Sequence, residues 1–136
     1  MLGELLGEGS GKVTAVRVLP TEGQQVKLEV STQGIGKLLG VETTDTVTYW
    51  QTVRPGNVLY GEGRWVVMSR EGDVADWTGF GVGKPTGPAP AAHYGVCGSF
   101  HTASGKLARL SSLLATVLEY DTAEDGTYRF KIWEWK

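Results

Sequence analysis

The chain of 136 residues contains one cysteine, Cys97, and two histidines, His93 and His101. A single cysteine excludes an intrachain disulfide, and no cysteine pair exists to begin a zinc-finger spacing. No apolar run approaches the roughly 20 residues that cross a bilayer. The first residues, MLGELLGEGSG, lack the basic and apolar regions of a secretory signal. These absences lead us to expect a soluble cytoplasmic protein with no membrane partner. Positive charge is not in excess: 13 Lys and Arg stand against 15 Asp and Glu, scattered along the chain, for a net charge of -2. Without a basic field, nucleic acid is not an expected partner. The segment GFGVGK (Gly79 to Lys84) lacks the Ser or Thr and the helix of a phosphate-binding loop, and Pro85 follows it directly. No glycine-flanked serine elbow occurs.

What the chain does have is 20 glycines distributed through segments rich in Val, Thr, Tyr and Trp. β-Branched and aromatic residues favour strands, and Gly and Pro punctuate them. Eight strands are predicted: Val13 to Leu19, with Leu5 to Gly9 as an extension, then Gln25 to Gly34, Val41 to Val53, Val58 to Ser69, Val74 to Gly83, Ala91 to Ala103, Leu113 to Tyr120 and Tyr128 to Trp135. Turn signals at Thr21-Glu22-Gly23, Arg54-Pro55-Gly56-Asn57, Arg70-Glu71-Gly72-Asp73 and Ala123-Glu124-Asp125-Gly126 make neighbours antiparallel. The proline-rich stretch KPTGPAP (Lys84 to Pro90) reads as a rigid surface loop. Only Ser104 to Leu113 has helical character, with Leu107, Leu110 and Leu113 three apart and Ser104 as a cap.

A meander of eight strands leaves two edges to hide, and closing it into a barrel removes both. Alternate glycines at Gly61, Gly63, Gly79, Gly81 and Gly83 suit a strongly coiled sheet, or a place where a bulky neighbour packs on bare backbone. The expected fold is therefore all-β, a single-domain closed antiparallel barrel of eight strands over residues 1–136, with one short helix.

The segments GKLLGVETTDTVTYW (Gly36 to Trp50), RPGNVLYGEGRWVVMSREGD (Arg54 to Asp73), WTGFGVGKPTG (Trp77 to Gly87), HTASGKLARLSSL (His101 to Leu113) and FKIWEWK (Phe130 to Lys136) resemble an uncharacterised bacterial family of small barrels similar to allene oxide cyclase. The resemblance covers most of the chain. It implies an eight-stranded barrel with a central cavity, in a superfamily of cyclases and dirigent-type proteins that shape a reactive intermediate. The chain departs from the family pattern at Trp65 and at His93, Cys97 and His101, which implies a specialised or engineered pocket and puts any carried-over function in doubt.

The candidate chemistry begins with His93, Cys97 and His101, which fall on one face of a strand at every fourth residue. At about 3.3 Å per residue the two histidines lie roughly 26 Å apart, too far to share a metal or act as an acid and base pair. No metal site and no cofactor is expected. The alternate set Tyr94, Val96, Gly98 and Phe100 is the more apolar. If it fills the core, both histidines face solvent; if the barrel holds a wet cavity, the histidine row lines it. Glu62 poses the same choice between a solvated partner of Arg64 and an acid-base group in an apolar cavity, where desolvation would raise its pKa. Asp45 and Tyr49 share one face of their strand, the bland reading being a core tyrosine and a rim aspartate. Cys97 has no activating partner and reads as an inert small side chain.

The expected function is a barrel binding a small apolar or aromatic molecule, with cyclisation, isomerisation or proton transfer as its chemistry. Glu62, His101 and His93 are the candidate acid-base residues. Tyr49, Trp50, Tyr60, Trp65, Trp77, Cys97 and Phe100 are the candidate ligand contacts, Trp65 serving as a flat wall for a ring. The alternative is a non-catalytic binding or structural module, with outward tryptophans joining copies in a homo-oligomer.

Overall fold

The computed structural model describes residues 1–102 and 105–136. Eight strands follow in order among them: β1 (Leu2–Leu19), β2 (Lys27–Leu38), β3 (Val41–Arg54), β4 (Val58–Ser69), β5 (Val74–Pro85), β6 (Ala92–His101), β7 (Ala115–Thr122) and β8 (Thr127–Trp135). Each pairs antiparallel with its neighbour, and β8 returns to β1, closing the barrel in chain order. The expected architecture is therefore the observed one. No helix among the described residues is long and apolar enough to cross a membrane.

Strand ends differ where the turn chemistry is hidden. β1 runs unbroken for 18 residues because it pairs over much of its length with both β2 and β8. β2 continues past Gly34 to Leu38, and a two-residue reversal at Leu39 (φ 52°) and Gly40 (φ 77°) leads into β3. Both residues have positive φ, the requirement of a tight hairpin whose twist matches its strands. Leucine rarely signals such a turn, so the sequence pattern ends the strand too early.

The expected helix is a 3₁₀ helix over Ala108–Ser112. Its proposed cap, Ser104, and the end of the predicted sixth strand, Ala103, lie outside the described residues. Leucines three apart suit this geometry because positions i and i+3 eclipse in a 3₁₀ turn. Leu107 and Leu110 are both fully buried, each stabilising the fold by about 1.5–3 kcal/mol. They belong to one buried cluster with Leu6, Leu38, Val67, Ala75 and Ile132, so Leu107 and Leu110 plug one end of the barrel with aliphatic side chains.

Candidate ligand cavity

Strand parity decides what faces inward. On β3 the inner residues are Asp45, Val47 and Tyr49; on β4 they are Gly61, Gly63, Trp65 and Val67, all buried or half-buried. β6 turns Tyr94, Val96, Gly98 and Phe100 inside, so the apolar set fills the interior. His93 and His101 are exposed on the outer face, and Cys97 is half-buried there.

Of the candidate ligand contacts, Tyr49, Trp65, Trp77 and Phe100 lie inside, the first three of them in the cavity wall. Trp50, Tyr60, Cys97, Glu62, His93 and His101 do not: they occupy the alternate positions that pleating sends outward. His93 Nδ1 meets Asp121 Oδ1 at 2.5 Å across to β7. His101 has an 87% exposed side chain, 3.7 Å from Asp76. Glu62 borders the cavity between two inward glycines, yet its carboxylate is outside, accepting a hydrogen bond from Tyr60 at 3.3 Å. Arg54 stands 4.0 Å over the Tyr60 ring, and Trp50 donates to Glu29 at 3.1 Å. Among the described residues, no three His, Cys, Asp or Glu side chains converge as metal ligands would.

The interior holds two aromatic groups. Trp65 is the hub of the deeper one, with ring centroids 5.2 Å from Phe130, 5.4 Å from Phe100 and 6.3 Å from Trp77. Trp77 donates its indole N–H to Thr116 at 2.9 Å, and Thr116 donates on to the Gly98 carbonyl at 2.9 Å. The Trp77 ring lies against Gly79 and Gly98, where an added Cβ would come within 2.1 and 2.4 Å of it; only bare backbone permits that approach. Nearer the other end, the Tyr120 ring centroid lies 5.2 Å from Tyr128, 5.5 Å from Tyr94 and 6.1 Å from Tyr49. The Tyr94 hydroxyl donates to Gln51 Oε1 at 2.7 Å. β3 and β6 are not neighbours, so this bond crosses the barrel like a bar.

Between the two groups remains a cavity of about 100 Å³, walled by Val47, Val96, Leu118 and the aromatic faces, with the glycine backbones of β4 and β5 on one side. Its surface is almost wholly apolar. Asp45 is the residue that sequence reasoning missed: it is no rim group but 2% exposed, in the inner wall. Its Oδ1 accepts the Trp65 indole N–H at 3.0 Å, while Oδ2 has no partner among the described residues. Burial pushes its carboxyl up to about 6, against the smaller downward pull of the Trp65 hydrogen bond. Burial also raises the phenols of Tyr49, Tyr94, Tyr120 and Tyr128 above their ordinary range, so all four are neutral in the physiological range. The available signal for Asp45 is its parity with Val47 and Tyr49 and the presence of Trp65 on the next strand.

No protein-family model matches the chain, and no curated protein does. Solved structures do. A protein of unknown function from Clostridium acetobutylicum superposes with a TM-score of 0.81 at 13% identity, covering 98% of this chain and 97% of that one. A beta-barrel like protein from Acinetobacter baumannii AYE gives a TM-score of 0.77 at 16% identity, over 100% and 96% of the two chains. An enzyme from Penicillium herquei gives 0.66 at 14% identity, over 96% and 92%. Identities this low establish a shared barrel fold and nothing about activity.

Proposed function

We propose that the barrel binds a small, largely apolar or aromatic molecule in the cavity between its two aromatic groups. The observation that carries this reading is the apolar volume of about 100 Å³ left between the two aromatic groups. Eight-stranded barrels either fill their interior with side chains or hold one small ligand. An apolar cavity of about 150 Å³ stays dry and binds benzene, whereas drug-sized ligands need about 300 Å³ or more. At about 100 Å³ the volume is smaller than either, so the occupant is at most one small ring, or the ring-bearing end of something longer, seated with some yielding of the wall. Glu62, His93 and His101 carry their ionisable groups outside and neither Asp45 oxygen is offered to a guest, so cyclisation or isomerisation of the occupant would rest on the shape of the cavity. The motifs similar to allene oxide cyclase barrels support that extension.

Trp65 and Trp77 line the cavity, so their fluorescence reports occupancy. Toluene and related one-ring compounds are expected to change it saturably. Gly61→Leu supplies the control, because a Cβ there meets nothing closer than 3.4 Å and the added side chain fills the volume without displacing backbone. Binding should disappear in that variant while thermal unfolding stays cooperative. A flat response of the wild type across the whole panel would overturn the reading in favour of a closed, non-binding barrel.

A further inference from the structure

Among the described residues two acidic side chains border the cavity, and of these Asp45 alone keeps its carboxyl inside. The groups facing it are β2 backbone at Gly34 and Gly36 with Thr32 nearby, Trp65 and Val67 of β4, Tyr128 and Phe130 of β8, and Thr43, Val47 and Tyr49 of its own strand. None of these is cationic, and the titratable ones are neutral phenols. Asp45 thus ionises without a counter-charge. Nor does it offer its charge to a guest: Oδ1 is occupied by Trp65, and Oδ2 is sealed from solvent, 3.3 Å from where a Cβ on Gly36 would stand.

We propose that the cavity is selective for uncharged rings and that Asp45 couples their uptake to protonation of its own carboxyl. This rests on the reading that the cavity binds a ring. A ligand cation would shed its hydration without reaching a carboxylate oxygen, and an anion would be buried beside a group that itself resists ionisation; both costs exceed what an apolar wall returns. A neutral ring filling the space beside Asp45 blocks the volume through which water would have to enter to solvate the ionised carboxylate, and so disfavours the charged form further. Since the bound state then holds the proton more tightly than the free state, binding takes up a proton and strengthens as pH falls. The free carboxyl titrates near 6, which sets the window between about pH 5 and pH 7.5.

The test is calorimetric titration of the wild-type protein with toluene at pH 5, 6.5 and 7.5, in buffers of differing ionisation heat, alongside benzylammonium and benzoate. Toluene should bind about fivefold or more tighter at pH 5 than at pH 7.5, the effect of roughly one unit of further rise in the Asp45 pKa. At pH 6.5 the heat should depend on the buffer, showing uptake of a fraction of a proton. Benzylammonium and benzoate should bind at least about tenfold more weakly. Asp45→Asn should bind toluene equally at all three pH values; should that variant not fold, the wild-type buffer dependence decides alone. Toluene binding that is flat with pH and independent of buffer, or benzylammonium binding as well as toluene, overturns the proton coupling or the selectivity while leaving the cavity reading intact. Absence of toluene binding at every pH overturns both.

Discussion

The two faces of β3 to β6 carry similar chemistry and put it to different use. Outside, Glu62, Asp76, His93, His101 and Trp50 are solvated, each meeting an oppositely charged or hydrogen-bonding neighbour on the surface. Inside, one residue away along the same strands, the carboxylate of Asp45 and the rings of Trp65, Trp77 and Tyr94 are buried. A polar group in water costs little and contributes little. The same group in the interior is costly unless paired, and its titration becomes a property of the fold. The inner face is where substitution should be felt.

The largest contrast is between two tryptophans. Trp65→Ala removes the hub of the deep aromatic group and also takes the hydrogen bond from Asp45 Oδ1. Large-to-small changes of this kind cost about 3–5 kcal/mol. Trp50→Ala, on the outer face with 37% of its surface exposed, should cost about 1 kcal/mol or less. Denaturant unfolding of the two variants measures both; equal losses would dissolve the distinction between the faces.

Next is the pair of carboxylates. The folded pKa of Asp45, about 6 against 3.8 for the unconstrained group, means that the folded state holds a proton which the unfolded chain releases. Stability contributed by the protonated form is complete below about pH 4 and lost as pH rises through about 6, with no further change well above it. Asp45→Asn keeps the shape and an oxygen for Trp65 and escapes this penalty. It should be more stable than wild type by about 2–3 kcal/mol at pH 8 and nearly equal to it at pH 4. Glu62→Gln should leave stability within about 0.5 kcal/mol at either pH. Comparing each variant with wild type at the same pH cancels the titration of every other carboxylate.

How far the sequence shows these faces depends on the element. β4 is legible from Val58 to Ser69 because Arg54-Pro55-Gly56-Asn57 and Arg70-Glu71-Gly72-Asp73 enclose it with turn residues, and Gly56, Asn57 and Gly72 do adopt positive φ. Closure follows from the count of strands and the lack of any covering element for the edges. The inward face of β6 is not legible, since both alternate sets of Ala92 to His101 are plausible interiors when read alone. What settles it is pairing. Four inner aromatics sit opposite glycines: Tyr49 opposite Gly63, Tyr94 opposite Gly83, Phe130 opposite Gly9, Tyr128 opposite Gly11. A ring laid over a bare neighbouring backbone replaces the packing that glycine lacks. His93, Cys97 and His101 face Lys84, Phe80 and Asp76 instead. The alternate glycines are visible in the sequence, but register between strands is needed to show which side chains they accommodate. Asp45 escapes notice for the opposite reason: a charged residue in a strand ordinarily marks an outer or rim position, and only tertiary packing around Trp65 reverses that.

The smallest expected effect tests the outer row directly. His93 and Asp121 are each about half exposed (53% and 52%), and His101 reaches Asp76 only at 3.7 Å. Pairs this solvated contribute about 1 kcal/mol or less. A His93→Ala, His101→Ala double variant should therefore unfold within about 1 kcal/mol of wild type and bind toluene with unchanged affinity, because neither ring enters the cavity. Loss of binding in the double variant, with the barrel still folded, would mean that the outer face of β6 communicates with the interior, and would return the histidines to the list of candidate functional residues.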